Sequence, residues 1–107
     1  MTDTGSIVVF ITAGSHEESV KISELLLKKK KAACVTIVPG VNSMFLWKGK
    51  IDTAQESLLI VKTKADVLND IIKLVKQVHS YEVPEIIAMP VVGGSEDYLK
   101  WIDAEVR

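Results

Sequence analysis

Glu56-Ser57-Leu58-Leu59-Ile60-Val61-Lys62-Thr63, and then Leu68, Ile71, Ile72, Val75 and Val78 beyond Ala65, set side by side the two patterns that decide the fold. The first is a strand-length run with an unbroken aliphatic centre, which suits a strand covered on both faces. The second repeats at three- and four-residue steps and predicts an amphipathic helix from about Ala65 to His79. Upstream, Ser6 to Thr12 is another almost continuous β-branched and aromatic run. Ala13-Gly14-Ser15 breaks it, and Ser15 with Glu18 three residues later has the form of a capping box. A first helix therefore runs from about His16 to Lys31, with Val20, Ile22, Leu25 and Leu26 on its apolar face and Lys28–Lys31 in its last turn, where positive charge suits the helix dipole.

Between these units Cys34-Val35-Thr36-Ile37-Val38 opens a second strand, Pro39-Gly40 interrupts it as a bulge, and Met44 to Ile51 resumes it. Lys48 to Ala54 turns the chain into the strand at Glu56–Thr63, making a long hairpin. Downstream, Ser80–Pro84 reads as a loop, Glu85–Val92 as a fourth strand, and Gly93-Gly94-Ser95 leads into a short helix carrying Leu99, Trp101, Ile102 and Val106. The order β-α-β-β-α-β plus a final helix predicts an α+β chain with a ferredoxin-like antiparallel sheet. In that arrangement the first and third strands are central. Pro39 and Pro90 fall in the two edge strands, where a residue without an amide donor is tolerated.

At 107 residues, the chain is one domain, 1–107. Thirteen Lys plus Arg against 14 Asp plus Glu leave a formal charge of −1, which lacks the surplus that carries most nucleic-acid binding. Hydrophobic residues at 48% exclude disorder, and no apolar run approaches the roughly 20 residues of a membrane-spanning helix. The single cysteine, Cys34, forbids an intrachain disulfide and a cysteine-rich zinc site. The first six residues lack a secretory pattern, so the expected compartment is the cytoplasm. One conflict points to assembly. The main helices of this fold cover one sheet face, yet three of the strands are apolar at successive positions, so the other face needs a cover and a homo-oligomer is expected.

No Ser-His-Asp constellation, P-loop or GxGxxG is present, and the only arginine is Arg107, so no catalytic motif supports an enzyme. His79 ends the second helix just before Tyr81-Glu82-Val83-Pro84-Glu85, a stretch with a phenol, two carboxylates and a stiffening proline. It reads equally as a helix-terminal ring bonded to the last carbonyls. Cys34 reads as a small buried hydrophobe or as a ligand, and Trp47 as a packing anchor or a pocket wall. Trp47, Glu56, Lys62, Tyr81 and Glu85 are large or charged residues beside apolar or hinge sequence, where packing alone would use Leu or Val. They are expected to meet, with Pro84, in one pocket at a subunit boundary, because burial obliges such groups to pair. Glu56 and Lys62 lie about 20 Å apart along one strand and cannot pair with each other.

Ala32-Ala33-Cys34-Val35, Trp47-Lys48-Gly49-Lys50-Ile51, Val61-Lys62-Thr63, His79-Ser80-Tyr81-Glu82-Val83-Pro84-Glu85-Ile86 and Asp97-Tyr98-Leu99-Lys100-Trp101-Ile102, in this order and spacing, resemble the CutA divalent-cation-tolerance family. The resemblance covers nearly the whole chain from Ser6. It implies a ferredoxin-like subunit in a tight homotrimer, similar in architecture to the PII signalling proteins, non-catalytic and linked to tolerance of copper and other divalent cations. Members with a proposed copper site have a cysteine in the first strand and a His-His pair before the tyrosine; Ile11, Val78 and His79 stand there in this chain. The resemblance therefore implies at most a weak or trimer-dependent copper site through His79; apart from it, Cys34, Met44 and Met89 are the next candidate donors in the chain. The alternative is a PII-like regulator taking a small anionic ligand between subunits, for which the chain offers no Gly-rich basic loop.

Overall fold

The computed structural model describes residues 3–107. β1 (Ser6–Ala13), α1 (His16–Lys28), β2 (Cys34–Trp47), β3 (Lys50–Lys64), α2 (Leu68–Val78), β4 (Ile86–Pro90) and α3 (Glu96–Glu105) follow in that order, with a 3₁₀ turn at Ala65–Val67 leading into α2. The sheet has the order β2-β3-β1-β4 and every pairing is antiparallel. This is the ferredoxin-like α+β arrangement with one added helix. The two most apolar strands are the central pair, and both prolines of the sheet fall on its edges.

Alternation across β1 and β3 separates the two faces. Ile7, Val9, Ile11, Leu59 and Val61 point to the helices and are buried with Ile22 and Leu26 of α1, Ile71 and Val75 of α2 and Ile102 of α3. Val8, Phe10, Leu58 and Ile60 point the other way and are only half-buried, and across from them Ile87 and Met89 of β4 are 56% and 49% exposed. Among the described residues no helix is long and apolar enough to cross a membrane.

Three boundaries differ from the sequence reading, each for a local reason. Helix α1 stops at Lys28 rather than Lys31, because Lys30 adopts φ 58° and the chain closes in a Schellman turn, Lys31 N–H donating to Leu26 O at 2.8 Å and Lys30 N–H to Leu27 O at 3.0 Å. The lysine run is thus a terminating turn rather than a last helical turn. The hairpin is tighter than Lys48–Ala54: Lys48 and Gly49, at φ 51° and 78°, form a two-residue loop of the kind whose twist matches a right-twisted hairpin, and Trp47 pairs directly with Lys50. The polar segment Asp52–Gln55 is therefore strand, held by pairing with Asn42–Phe45. Strand β4 is shorter, ending at Pro90. The bulge falls where expected, between Val38 and Val41, with Gly40 at φ 67°.

Candidate functional site

At the end of β1, Ala13-Gly14-Ser15 passes the chain into α1. Ser15 caps that helix by accepting from Glu18 N–H at 3.1 Å. A capping box would send the Glu18 carboxylate back to the cap's own N–H. Here it is diverted: Oε1 accepts from Gly14 N–H at 2.9 Å and from the Ser80 hydroxyl at 3.0 Å, and Oε2 accepts from Ser80 N–H at 2.6 Å. Glu18 thereby ties α1 to the 79–85 loop that follows α2. Burial alone would raise this carboxyl, but the Ser80 and Gly14 donors outweigh it and hold it below the ordinary carboxylate value.

His79 caps the C-terminus of α2, its N–H donating to Val75 O at 2.9 Å. Its side chain has no solvent exposure. Nε2 lies 2.7 Å from Thr12 O, and Nδ1 accepts from Tyr81 N–H at 3.0 Å. A carbonyl can only accept and an amide N–H can only donate, so the ring is neutral with its hydrogen on Nε2. The Tyr81 ring lies 4.9 Å from the imidazole at a tilt of 55°, and its hydroxyl donates to Glu56 Oε2 at 2.8 Å. Glu56 is only 8% exposed. Burial, the bond to Glu56 and the charges of Glu56 and Glu18 push the Tyr81 phenol up to about 12. Burial and the Glu56 charge likewise raise the Glu85 carboxyl.

Of the expected pocket, the structure brings together Glu56, Tyr81 and Glu85, with Pro84 half-buried in the same loop. It does not bring Trp47 or Lys62 to them within one chain. Trp47 sits at the hairpin tip, 58% exposed, with the Lys48 ammonium 5.9 Å from its ring centre; its partner Lys50 is six residues from Glu56, about 20 Å along β3. Lys62 lies as far away in the opposite direction, where its ammonium donates to the Thr36 hydroxyl and, at 3.3 Å, to Ile60 O. The expected pairing of Lys62 with a buried carboxylate is therefore absent from the single chain.

The copper ligands do not assemble either. Both ring nitrogens of His79 are committed to protein hydrogen bonds, leaving no lone pair for a metal. Cys34 starts β2 opposite Lys62, with the Tyr98 phenol beside it. Lys62 in turn faces Val8, four residues along β1 from Thr12, so the thiol and the imidazole are offset by about 13 Å along the strands and by two strand spacings across them. Ile11 is in the core and Val78 is exposed. Among the described residues no three His, Cys, Asp or Glu side chains form a group able to hold a metal ion. The donors present in one chain do not fit a copper centre.

Sequence reasoning missed Glu18, Ser80, Gly14 and the Thr12 carbonyl. The Ser15/Glu18 motif was a usable signal for the first, but it predicts a local cap rather than a link to a loop 62 residues away.

The family model for the CutA1 divalent ion tolerance protein matches residues 7–105. The "Divalent-cation tolerance protein CutA" of Archaeoglobus fulgidus is 45% identical over 92% of this chain and 96% of its own length. "Protein CutA, chloroplastic" of Arabidopsis thaliana is 42% identical over 95% of this chain, which spans only 56% of that relative's length. The crystal structure of CutA1 from Oryza sativa superposes with a TM-score of 0.94 at 41% identity, covering 100% of this chain and 98% of that one. Match, identity and superposition run through the whole sheet and all three helices, and the chain belongs to the CutA1 divalent ion tolerance protein family.

Proposed function

We propose that the chain works as a non-catalytic homotrimer in the tolerance of divalent cations. The observation that carries the assembly is the sheet face turned away from the helices, with Val8, Phe10, Leu58 and Ile60 half-buried and Val38, Ile87 and Met89 exposed. Beside it, the hairpin tip exposes Met44, Leu46, Trp47 and Ile51. A contiguous apolar surface of this kind on a domain this small needs a partner, and a second and third copy supply one with the same chemistry. Trp47 and Lys62 would then reach the Glu56–Tyr81–Glu85 cluster from neighbouring subunits, completing the boundary pocket. The link to divalent cations comes from the family and is held at that level, since the His79 and Cys34 donors do not fit copper in one chain. Three carboxylates around the cluster, Glu18, Glu56 and Glu85, make it a poor host for an anionic ligand, which counts against the PII-like regulator. A cytoplasmic location fits the lone thiol, which has no second cysteine in the chain with which to form a disulfide.

Sedimentation equilibrium at micromolar concentration tests the assembly. Three subunits are expected, and Ile87→Lys with Met89→Lys should shift the protein to monomer. A compact wild-type monomer would remove the argument from the apolar face.

A further inference from the structure

Ser6 opens the central strand β1 and is only 4% exposed, yet among the described residues its hydroxyl has no hydrogen-bond partner. Thr4 beside it is fully engaged, its hydroxyl donating to Val91 O at 2.7 Å and accepting from Ser6 N–H at 3.2 Å. Among the described residues no fully enclosed side-chain polar atom is left unbonded, so the Ser6 hydroxyl must find its partner through an opening. That opening is a cleft of about 360 Å³ between the start of β1 and the start of α3, with Ser6 in its wall.

The opposite wall is a helix start without a side-chain cap. Ser15 caps α1 with its hydroxyl, whereas Ser95 makes no such bond to α3. The first backbone bond of α3 runs from Leu99 N–H to Ser95 O at 3.0 Å, so the amides of Glu96, Asp97 and Tyr98 have no acceptor among the described residues. Gly93 and Gly94 lead into this turn with no side chains to cover it, and a Cβ on Gly93 would meet no atom within 4 Å. We propose that the cleft is a binding site for a small zwitterion, an α-amino acid with a short aliphatic side chain.

The charges around the cleft select that class. Glu96 and Asp103 lie on one face of α3 and line the cleft, the first paired with Lys100 at 3.3 Å and the second with Lys64. Each pair engages one carboxylate oxygen and leaves the other free. A bare anion would be repelled by these two carboxylates and by Asp97 in the first turn, and a bare cation by the two ammoniums. A molecule with both charges a few ångströms apart meets both sets of groups. Its acid takes the free amides of α3, the Ser6 hydroxyl and Lys100, and its ammonium takes the free oxygens of Glu96 and Asp103. Leu99 supplies the apolar wall for the side chain. The volume suits a ligand of this size, since pockets for small molecules begin at about 300 Å³.

The test is an NMR titration of the ¹⁵N-labelled full chain, in the assembly it forms in solution, with L-valine, isovalerate and isobutylamine, the last two each carrying one of valine's charges. Amide shifts at Ser6, Gly93, Gly94 and Glu96 should saturate with valine at a Kd of about 1 mM, and each single-charge analogue should bind at least about tenfold more weakly. Ser6→Ala, which removes only the hydroxyl, should weaken valine by about tenfold. Asp103→Asn should weaken valine without weakening isovalerate, because it removes an acceptor for the ammonium and a repulsion on the acid. Three results would overturn the site: no saturable shift at these amides up to about 50 mM valine, an analogue that binds as tightly as valine, or unchanged valine affinity in Ser6→Ala. If Ser6→Ala does not fold, the comparison of the three ligands on the wild-type chain decides.

Discussion

Replacing Tyr81 by Phe removes one oxygen atom and tests the central bond of the site. The hydroxyl donates at 2.8 Å to Glu56, a carboxylate only 8% exposed. A hydrogen bond to a charged acceptor contributes about 1.5–3 kcal/mol, and truncating the donor leaves the buried acceptor unsatisfied. Because Tyr81 is itself 37% exposed, water can partly replace it, so the lower figure of about 1.5 kcal/mol applies. The phenol's acidity is a separate signature of the same surroundings: burial first, and then the bond to Glu56, hold it at about 12 in the folded chain against an ordinary 10. The sign is that of a raised group: the contribution is fully present below pH 10 and is lost as pH rises through 12. Tyr81→Phe should therefore lower the melting midpoint by about 6 °C at neutral pH. It should also abolish the extra loss of stability above pH 10, read by phenolate absorbance in parallel with unfolding. Unchanged stability together with a wild-type Tyr81 titrating at its ordinary value would refute the bond.

Glu85 carries the same sign of linkage, in the acid range. Its carboxyl is raised in the folded chain by burial and by Glu56, so its contribution is present below its unfolded value and is lost as pH rises through the folded one. Glu85→Gln should flatten that decline and gain a few tenths of a kcal/mol at neutral pH, measured by urea denaturation across the acid range; an unchanged slope would place Glu85 in free solvent. Two lysines hold the left-handed backbone that other residues tolerate better, at φ 58° for Lys30 and 51° for Lys48. Lys30→Gly and Lys48→Asn should each stabilise the chain by about 0.5 kcal/mol, the second by completing the Asn-Gly pair that two-residue hairpin loops favour; a loss of stability in either would contradict the turn geometry.

The central strands and the edge prolines were legible in the sequence because burial on both faces and the lack of an amide donor leave compositional marks. Asp52–Gln55 left none, since its extension comes from pairing with the first half of the hairpin rather than from its own side chains. The end of α1 was misplaced because Lys30 gives no sign that it will adopt a positive φ. At the site, Glu56, Tyr81 and Glu85 were legible as polar groups in surroundings that favour apolar ones. Trp47 and Lys62 obey the same logic but sit at opposite ends of β3, a separation that composition cannot reveal. His79 was read as a donor for copper because a list of possible ligands carries no account of hydrogen bonds already made. Its two partners, a strand-end carbonyl and a loop amide, are backbone groups, which every residue possesses and no motif records.

The place of β1 between β3 and β4 has a consequence for biosynthesis. Ser6–Ala13 is made before both of its neighbours in the sheet: it has none until Ser57–Lys64 has been made, and no second one until Ile86–Pro90 follows. At about 5–20 residues per second, one of the chain's most hydrophobic strands waits for seconds with both hydrogen-bonding edges open. Meanwhile the β2–β3 hairpin, joined by a two-residue loop, can close on the order of microseconds once it is made and present an edge of matching register. Nascent chains interrupted before that hairpin emerges should therefore be the species that chaperones hold, and those interrupted just beyond β3 should need them far less.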